Sequence, residues 1–164
     1  MADQKSFAET LYGWLERAEM LFLLLFLAGF AWRSSDASAS DSLIIVSLGG
    51  LAGVFFLMAY RPSAVASADP KRMDFMTLLI WTILPKVTWI SCAVCTISIL
   101  LYFIKTGNKG YEQGLMIHTT ITVIGLLMLG FAGFRGVKNA RALLPMYYRA
   151  IPLLFAALYL LGYV

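Results

Sequence analysis

Five charged residues fall within long apolar stretches of the chain, where an ionisable side chain is costly and usually has a partner. They are Glu16, Arg17, Glu19, Lys86 and Arg149. Measured from the far end of its stretch at ~1.5 Å per helical residue, Glu19 lies at a depth of about 20 Å, Lys86 at about 27 Å and Arg149 at about 22 Å. These similar depths predict that the charges share one layer near the same face of a membrane.

Two interpretations of this charged layer stay open. In the first, Lys86 and Arg149 extend their long side chains to the membrane surface, and Glu16 and Glu19 form the hydrated face of an amphipathic helix start. In the second, Glu19 pairs with Lys86 or Arg149 across helices and locks the bundle, or binds a lipid headgroup or a partner helix. Only the second interpretation gives these residues a function.

Pro85 stands directly before Lys86 in the longest apolar stretch, 76–104. Proline lacks the N–H that an interior helical position donates, so it kinks the helix. The stretch is also longer than the ~20 residues that a membrane span needs. We therefore predict a helix kink at Pro85 that accommodates this length, although a kink beside a lysine is also compatible with a transporter binding site.

Cys92 and Cys95 form a CxxC motif inside the same stretch. Redox CxxC sites depend on a thiolate stabilised by a helix amino terminus or a nearby positive charge, whereas both thiols here lie in the middle of a span. Structural zinc sites use about four ligands, and the chain has two cysteines and one histidine. The motif therefore predicts ordinary buried cysteines, with no metal and no cofactor.

His118 and Thr119 are polar residues near the outer end of another apolar stretch, 116–134. A single histidine excludes bis-histidine haem ligation by one copy of the chain. A single histidine would be enough to supply one axial haem ligand in a larger complex, or a hydrogen-bond donor in a quinone site. The simpler expectation is a hydrogen-bonded histidine at the outer interface.

Membrane-spanning helices are the elements that must position these residues. The chain is 60% hydrophobic and 13% charged, whereas soluble domains average about 45–50% apolar and about 25% charged residues. Five stretches approach the ~20 apolar residues that cross a bilayer, at 14–32, 43–60, 76–104, 116–134 and 144–164. The sequence therefore predicts an all-α polytopic membrane bundle, one transmembrane domain over 1–164 with five helices. Pro145, Arg149 and Pro152 interrupt the last segment. If that segment is re-entrant, the number of transmembrane helices is four.

The thirteen Lys and Arg residues are unevenly distributed across this five-pass arrangement. Nine fall on the amino-terminal side, three on the other side and Lys86 inside the third span. The larger set is Lys5, Arg17, Arg61, Lys71, Arg72, Arg135, Lys138, Arg141 and Arg149, and the smaller is Arg33, Lys105 and Lys109. Because cytoplasmic loops are enriched in basic residues, we expect a cytoplasmic amino terminus and a bacterial inner-membrane location.

Two pairs of glycines have the spacing of residues on one helix face: Gly49 with Gly53, and Gly130 with Gly133. Small residues let helix backbones approach closely in a membrane, where lipid supplies no hydrophobic drive between helices. Packing within the chain is the first interpretation. Contact with another subunit is the second.

The functional prediction is a non-catalytic structural or accessory subunit of a larger membrane complex, bound to membrane lipids and to other subunits or to itself. The sequence contains no phosphate loop, HExxH motif or nucleophile elbow, and the basic residues are explained by topology without nucleic acid. One alternative is a homo-oligomeric small transporter, channel or lipid-handling protein that uses the charged layer. Another is a membrane thiol oxidoreductase that uses Cys92 and Cys95.

Overall fold

The computed structural model describes residues 2–33, 37–61, 78–104, 110–135 and 143–163, with the side chains of 2–9 and 37 excepted. Within these ranges the chain forms five α-helices and one π-helical turn. The helices are α1 (Ala2–Trp32), α2 (Ala37–Met58), α3 (Leu84–Ile104), α4 (Gly110–Phe134) and α5 (Leu144–Leu160). The π-helical turn, Leu79–Ile83, leads directly into α3. The predicted all-α fold is thus confirmed for this part of the chain.

Three of the helical segments are long and apolar enough to cross a membrane, namely Ser38–Met58, Leu79–Ile104 and Gly110–Phe134. The other two helices do not meet the same criterion. The amino-terminal half of α1 carries Glu16, Arg17 and Glu19, and α5 is apolar but has only 17 residues. Three of the five predicted spans therefore have the length and composition of transmembrane helices.

Two helices begin before the spans that hydropathy predicts. The helix α2 starts ahead of the predicted span 43–60, and α4 starts ahead of 116–134. The residues at these helix starts include several polar ones. They continue the helical backbone but do not extend the apolar run. An apolar pattern therefore predicts the apolar middle of a helix more accurately than it predicts where the helix begins.

The backbone departs from α-helical geometry directly before Pro85. Leu84 donates its backbone N–H to the carbonyl of Leu79, five residues back, which closes the π-helical turn. Proline cannot donate to the carbonyl four residues before it, and its ring crowds that carbonyl. A single π-helical turn is one of the recognised ways in which a helix absorbs such a disruption. The irregularity lies where the sequence predicted a kink and takes the form of a widened turn.

The helix α3 occupies the centre of the bundle. It packs against α2, α4 and α5, while α1 packs along α2. Three apolar clusters fill the interior of the described bundle. The largest contains Leu51, Phe55, Ile80, Trp81, Cys92, Ala93, Ala132, Leu143, Met146, Tyr147 and Ala150. The second contains Ile44, Leu48, Cys95, Ile99, Leu115 and Ala157, and the third contains Leu15, Val54 and Met58. Helices adjacent in the sequence are therefore neighbours in space, as short connections require.

The glycines that allow close packing between helices differ from those predicted. A Cβ atom added at Gly49, Gly53, Gly130 or Gly133 would meet no atom within 4 Å. These four do not mediate packing within the described bundle, because their helix faces point away from it. The first interpretation, that these four glycines pack within the chain, therefore does not hold for the described bundle.

Close approaches occur instead at four other glycines. A Cβ at Gly50 would collide with Phe22, and one at Gly29 would press against Leu43 and Ile44. At Gly114 it would meet Ser98, and at Gly125 it would meet the hydroxyl of Tyr147. Each of these glycines provides room for a side chain from another helix.

Candidate functional site

Glu19 lies on the face of α1 that is directed into the bundle. It shares this face with Leu15 and Phe22, at the four- and three-residue spacing of neighbours along a helix. Only 4% of Glu19 is exposed. A carboxylate that is this deeply buried requires a charged or hydrogen-bonding partner, since burial of an unpaired charge is very unfavourable.

Arg149 of α5 is that partner. Its Nε atom donates a hydrogen bond to Oε1 of Glu19 at 2.6 Å. The guanidinium carbon also lies 5.8 Å from the ring centroid of Trp89 in α3, within the range of a cation–π interaction. One ion pair therefore connects α1, α3 and α5. Of the two partners that the sequence suggested for Glu19, the structure brings Arg149 to it.

Three buried polar atoms, one each on α1, α3 and α5, have no hydrogen-bond partner among the described residues. They are Oε2 of Glu19, Oγ1 of Thr88 and the hydroxyl of Tyr147. The Glu19–Arg149 contact thus uses only one carboxylate oxygen. The second oxygen can still accept a hydrogen bond from one further donor.

The other charges of the predicted layer are not part of this pair. Lys86 is exposed, and it forms no salt bridge within the described parts of the chain. Glu16 pairs instead with Arg61, whose Nη1 lies 3.0 Å from Oε1 of Glu16. Both of those side chains are about half exposed. Arg17 stacks over Trp14 on the outer surface of α1. The predicted layer therefore divides into one buried pair and several surface charges.

His118 occupies the interface of α3, α4 and α5. It is fully buried, and its Nδ1 atom lies 3.2 Å from Oγ of Ser91. Its Nε2 atom lies 3.4 Å from the backbone carbonyl of Ala150 and 3.4 Å from Oγ1 of Thr122. The histidine is hydrogen-bonded as expected, and it is buried between helices. It can therefore join three helices through one ring.

Thr119, the residue after His118, has a local role. Its hydroxyl donates to the carbonyl of Leu115, one turn earlier in α4, at 2.9 Å. Ser98 of α3 likewise donates to the carbonyl of Val94 in its own helix. Hydroxyls that bond to their own helix are satisfied without a partner elsewhere. These contacts point to packing and not to a continuous polar path.

Cys92 and Cys95 are both fully buried and are not joined by a disulfide. Cys95 lies 3.8 Å from the carbonyl of Leu153, a weak sulfur hydrogen bond to α5. Each thiol belongs to an apolar cluster in the interior of the bundle. Redox exchange needs an accessible thiolate, so this placement suits packing.

Metal binding would require several ligating side chains to converge. Among the described residues, no three His, Cys, Asp or Glu side chains are grouped in a way that could hold a metal ion.

Sequence reasoning missed several residues that complete these sites. Trp89 and Ser91 lie within a long apolar stretch of α3, where neither residue type gives a distinctive signal. Arg61 lies just after the predicted span 43–60, and its contact with Glu16 depends on where α2 ends. Tyr147 and Gly125 meet only in the tertiary structure. No local pattern predicts that contact.

Comparison with protein-family models, with curated proteins and with solved structures gave no match for this chain.

Proposed function

We propose that this chain is a non-catalytic structural subunit of a larger membrane complex. The observation that carries the proposal is the outward position of its paired glycines. Gly49 and Gly53 lie on an exposed side of α2 beside Val46 and Phe56, and nothing in the described bundle approaches within 4 Å of their Cβ positions. In a membrane, such small-residue surfaces favour contact with another helix.

The second glycine pair extends this surface to α4. Gly130 and Gly133 also have open space at their Cβ positions, and their neighbours Leu127 and Phe134 are 69% and 92% exposed. The two pairs supply two faces on which a partner helix can approach closely. This supports the second of the two interpretations of the glycines, contact with another subunit.

The packing of the interior agrees with a structural role. The buried charge of Glu19 is paired within the bundle, and His118 is hydrogen-bonded to neighbouring helices. An open surface groove runs along α1, lined by Gly13, Glu16, Arg17, Met20, Leu21 and Leu24. A transporter would require polar groups arranged along a passage, whereas the Glu19 and His118 side chains each contact a neighbouring helix.

In this proposal all five helices cross the inner membrane of a bacterium, with the amino terminus in the cytoplasm. The basic residues support that orientation through their excess on one side. The pairing of Glu19 with Arg149 supports a membrane position for α1 and α5, because it neutralises the charge that most opposes insertion of α1. The 17 residues of α5, together with the apolar residues that follow it, give a length close to one span.

Purification from native membranes in mild detergent tests the proposal. The unmodified chain should elute with a stoichiometric partner protein. A double variant, Gly49→Leu/Gly53→Leu, should fold and insert but lose the partner. Ile117→Phe, which adds bulk at an exposed site on α4 away from both glycine pairs, serves as the control. Recovery of the unmodified chain only as a monomer would contradict the proposal, and recovery only as a homo-oligomer would favour the transporter alternative.

A further inference from the structure

We propose that Arg149, Trp89 and Lys86 form a binding site for the phosphate group of an anionic phospholipid in the cytoplasmic leaflet. The site lies at the end of the bundle where α3 begins and where α5 carries its only basic residue. The assignment rests on the membrane orientation proposed above, and it does not depend on a partner subunit.

The first part of the site is the unused side of the Arg149 guanidinium. This group carries five N–H donors in a planar fork. Glu19 accepts only from Nε, and the two terminal nitrogens have no hydrogen bond within the described residues. The Arg149 side chain is 32% exposed whereas that of Glu19 is 5% exposed. One edge of the fork is therefore fixed by the carboxylate, and the other edge remains accessible for a second anion.

Phosphate is the anion that fits this free edge best. Two parallel N–H donors of a guanidinium match two oxygens of a phosphate group, and such bidentate contacts are stronger and more specific than single ones. The orientation of the fork is already set by Glu19 and by the ring of Trp89, 5.8 Å from the guanidinium carbon. A preoriented donor pair loses less conformational entropy on binding.

The local charge also favours an anion. Glu19 and Arg149 neutralise one another, and the Lys86 ammonium at this end of α3 forms no salt bridge within the residues that the structure describes. Lys86 and Trp89 are three residues apart and so share a side of the helix. Lys86 is exposed, and its flexible side chain can reach toward the guanidinium that lies over Trp89. The site thus has a net positive charge next to a directed donor pair.

A lipid headgroup is a better source of this phosphate than the free ion. The residues lie within the cytoplasmic half of the proposed membrane region, where tryptophan and basic side chains sit at headgroup level. Anionic lipids enrich that surface, and each basic residue near it contributes about 1 kcal/mol of attraction. Acyl chains can pack on the apolar surface around Ile83, Val87 and Ile90, which are each about 40% exposed.

Native mass spectrometry of the delipidated protein in neutral detergent tests this site. Phosphatidylglycerol should form a one-lipid adduct at higher occupancy than phosphatidylcholine with the same acyl chains. Lys86→Gln should reduce the affinity for phosphatidylglycerol about fivefold. The matched control is Arg135→Gln, which removes an exposed basic residue from the end of α4. Arg149→Lys keeps a cation for Glu19 but removes the second edge of the fork, so it should also weaken the adduct.

Three outcomes would overturn the assignment. The first is an equal loss of affinity in Lys86→Gln and Arg135→Gln, which would indicate attraction by net charge alone. The second is equal occupancy by the two lipids. The third is displacement of phosphatidylglycerol by inorganic phosphate at an equal concentration, which would make the free ion the ligand. Because the isolated chain is used, these outcomes are independent of whether a partner subunit exists.

Discussion

The Nε atom of Arg149 lies 2.6 Å from Oε1 of Glu19, although the two residues are 130 positions apart in the chain. The first residue belongs to α5, which packs against α3 and α4, and the second belongs to α1, which packs along α2. The contact therefore joins two helices whose main packing partners differ. It links the first helix of the bundle to the last.

Loss of either charge should weaken this link to different extents. Arg149→Met leaves the Glu19 carboxylate buried without a counter-charge, so we expect a loss of about 3 kcal/mol, the low end for a buried pair because Arg149 is partly exposed. Glu19→Gln retains an oxygen acceptor and should cost less. Unfolding of the purified protein by SDS titration in mixed micelles measures both changes.

A double-mutant cycle provides the control for this prediction. Glu19→Gln/Arg149→Met removes both charges and should be less destabilised than the sum of its two single variants. The surface pair provides a second control, because Glu16→Gln should change stability by only about 0–1 kcal/mol. Additive effects of the two buried substitutions would show that Glu19 and Arg149 do not act as a pair.

The glycine at position 125 should be essential for the packing of Tyr147. In Gly125→Ala the new Cβ would collide with the Tyr147 hydroxyl, and overpacking of this kind costs about 1–3 kcal/mol. Tyr147→Phe removes that hydroxyl and should restore most of the loss in the double variant. Thermal unfolding in detergent measures these differences.

The outward glycine Gly133 is the matched control for Gly125. Its Cβ position is open, so Gly133→Ala should leave the isolated chain as stable as before or up to about 1 kcal/mol more stable through helix propensity. If Gly125→Ala and Gly133→Ala change stability equally, the close approach of Gly125 to the Tyr147 hydroxyl does not exist in the folded protein.

The two cysteines should be unreactive in the folded protein. Both are fully buried, so a membrane-permeant maleimide should label them only after SDS unfolding. Cys92→Ala/Cys95→Ala should retain assembly with the partner because the thiols only fill space. Rapid labelling of the folded chain, or loss of assembly in this variant, would instead support thiol chemistry.

The orientation of the chain can be read at both termini. We expect an amino-terminal reporter to be active in the cytoplasm and a carboxyl-terminal reporter to be active on the periplasmic side, since five passes place the ends on opposite faces. As the control, the reporter that is active in the cytoplasm and the reporter that is active in the periplasm are each fused to the opposite terminus. A cytoplasmic carboxyl terminus would mean that α5 enters and leaves the membrane on one side.

The apolar pattern was sufficient to predict the central helices. The segments Ser38–Met58, Leu79–Ile104 and Gly110–Phe134 carry long apolar runs, and each is a helix of transmembrane length and composition. The ends were less predictable, since the polar helix starts contribute no apolar signal. Charges in α1 and prolines in α5 similarly weaken the pattern of the first and last helices, even though both segments are helical.

Depth along the helices can be calculated from sequence, but rotation about the helix axis cannot. The depth estimate placed Glu19, Lys86 and Arg149 in one layer, and it could not choose between the two cations. That choice depends on which side of α3 and α5 faces α1. The same limit applies to the glycines. Gly49 and Gly53 have the same spacing whether their face points inward or outward, so the sequence does not show which helix face they occupy.

Photo-crosslinking in native membranes tests the proposed subunit role most directly. A photoreactive amino acid at Val46 or Phe56, beside the outward glycines of α2, should form an adduct with one defined partner protein. The control position is Ile117, an exposed residue of α4 away from Gly130 and Gly133. We expect a protein adduct at the two α2 positions, and we expect Gly49→Leu/Gly53→Leu to abolish it. Adducts with lipid alone at those positions would contradict it.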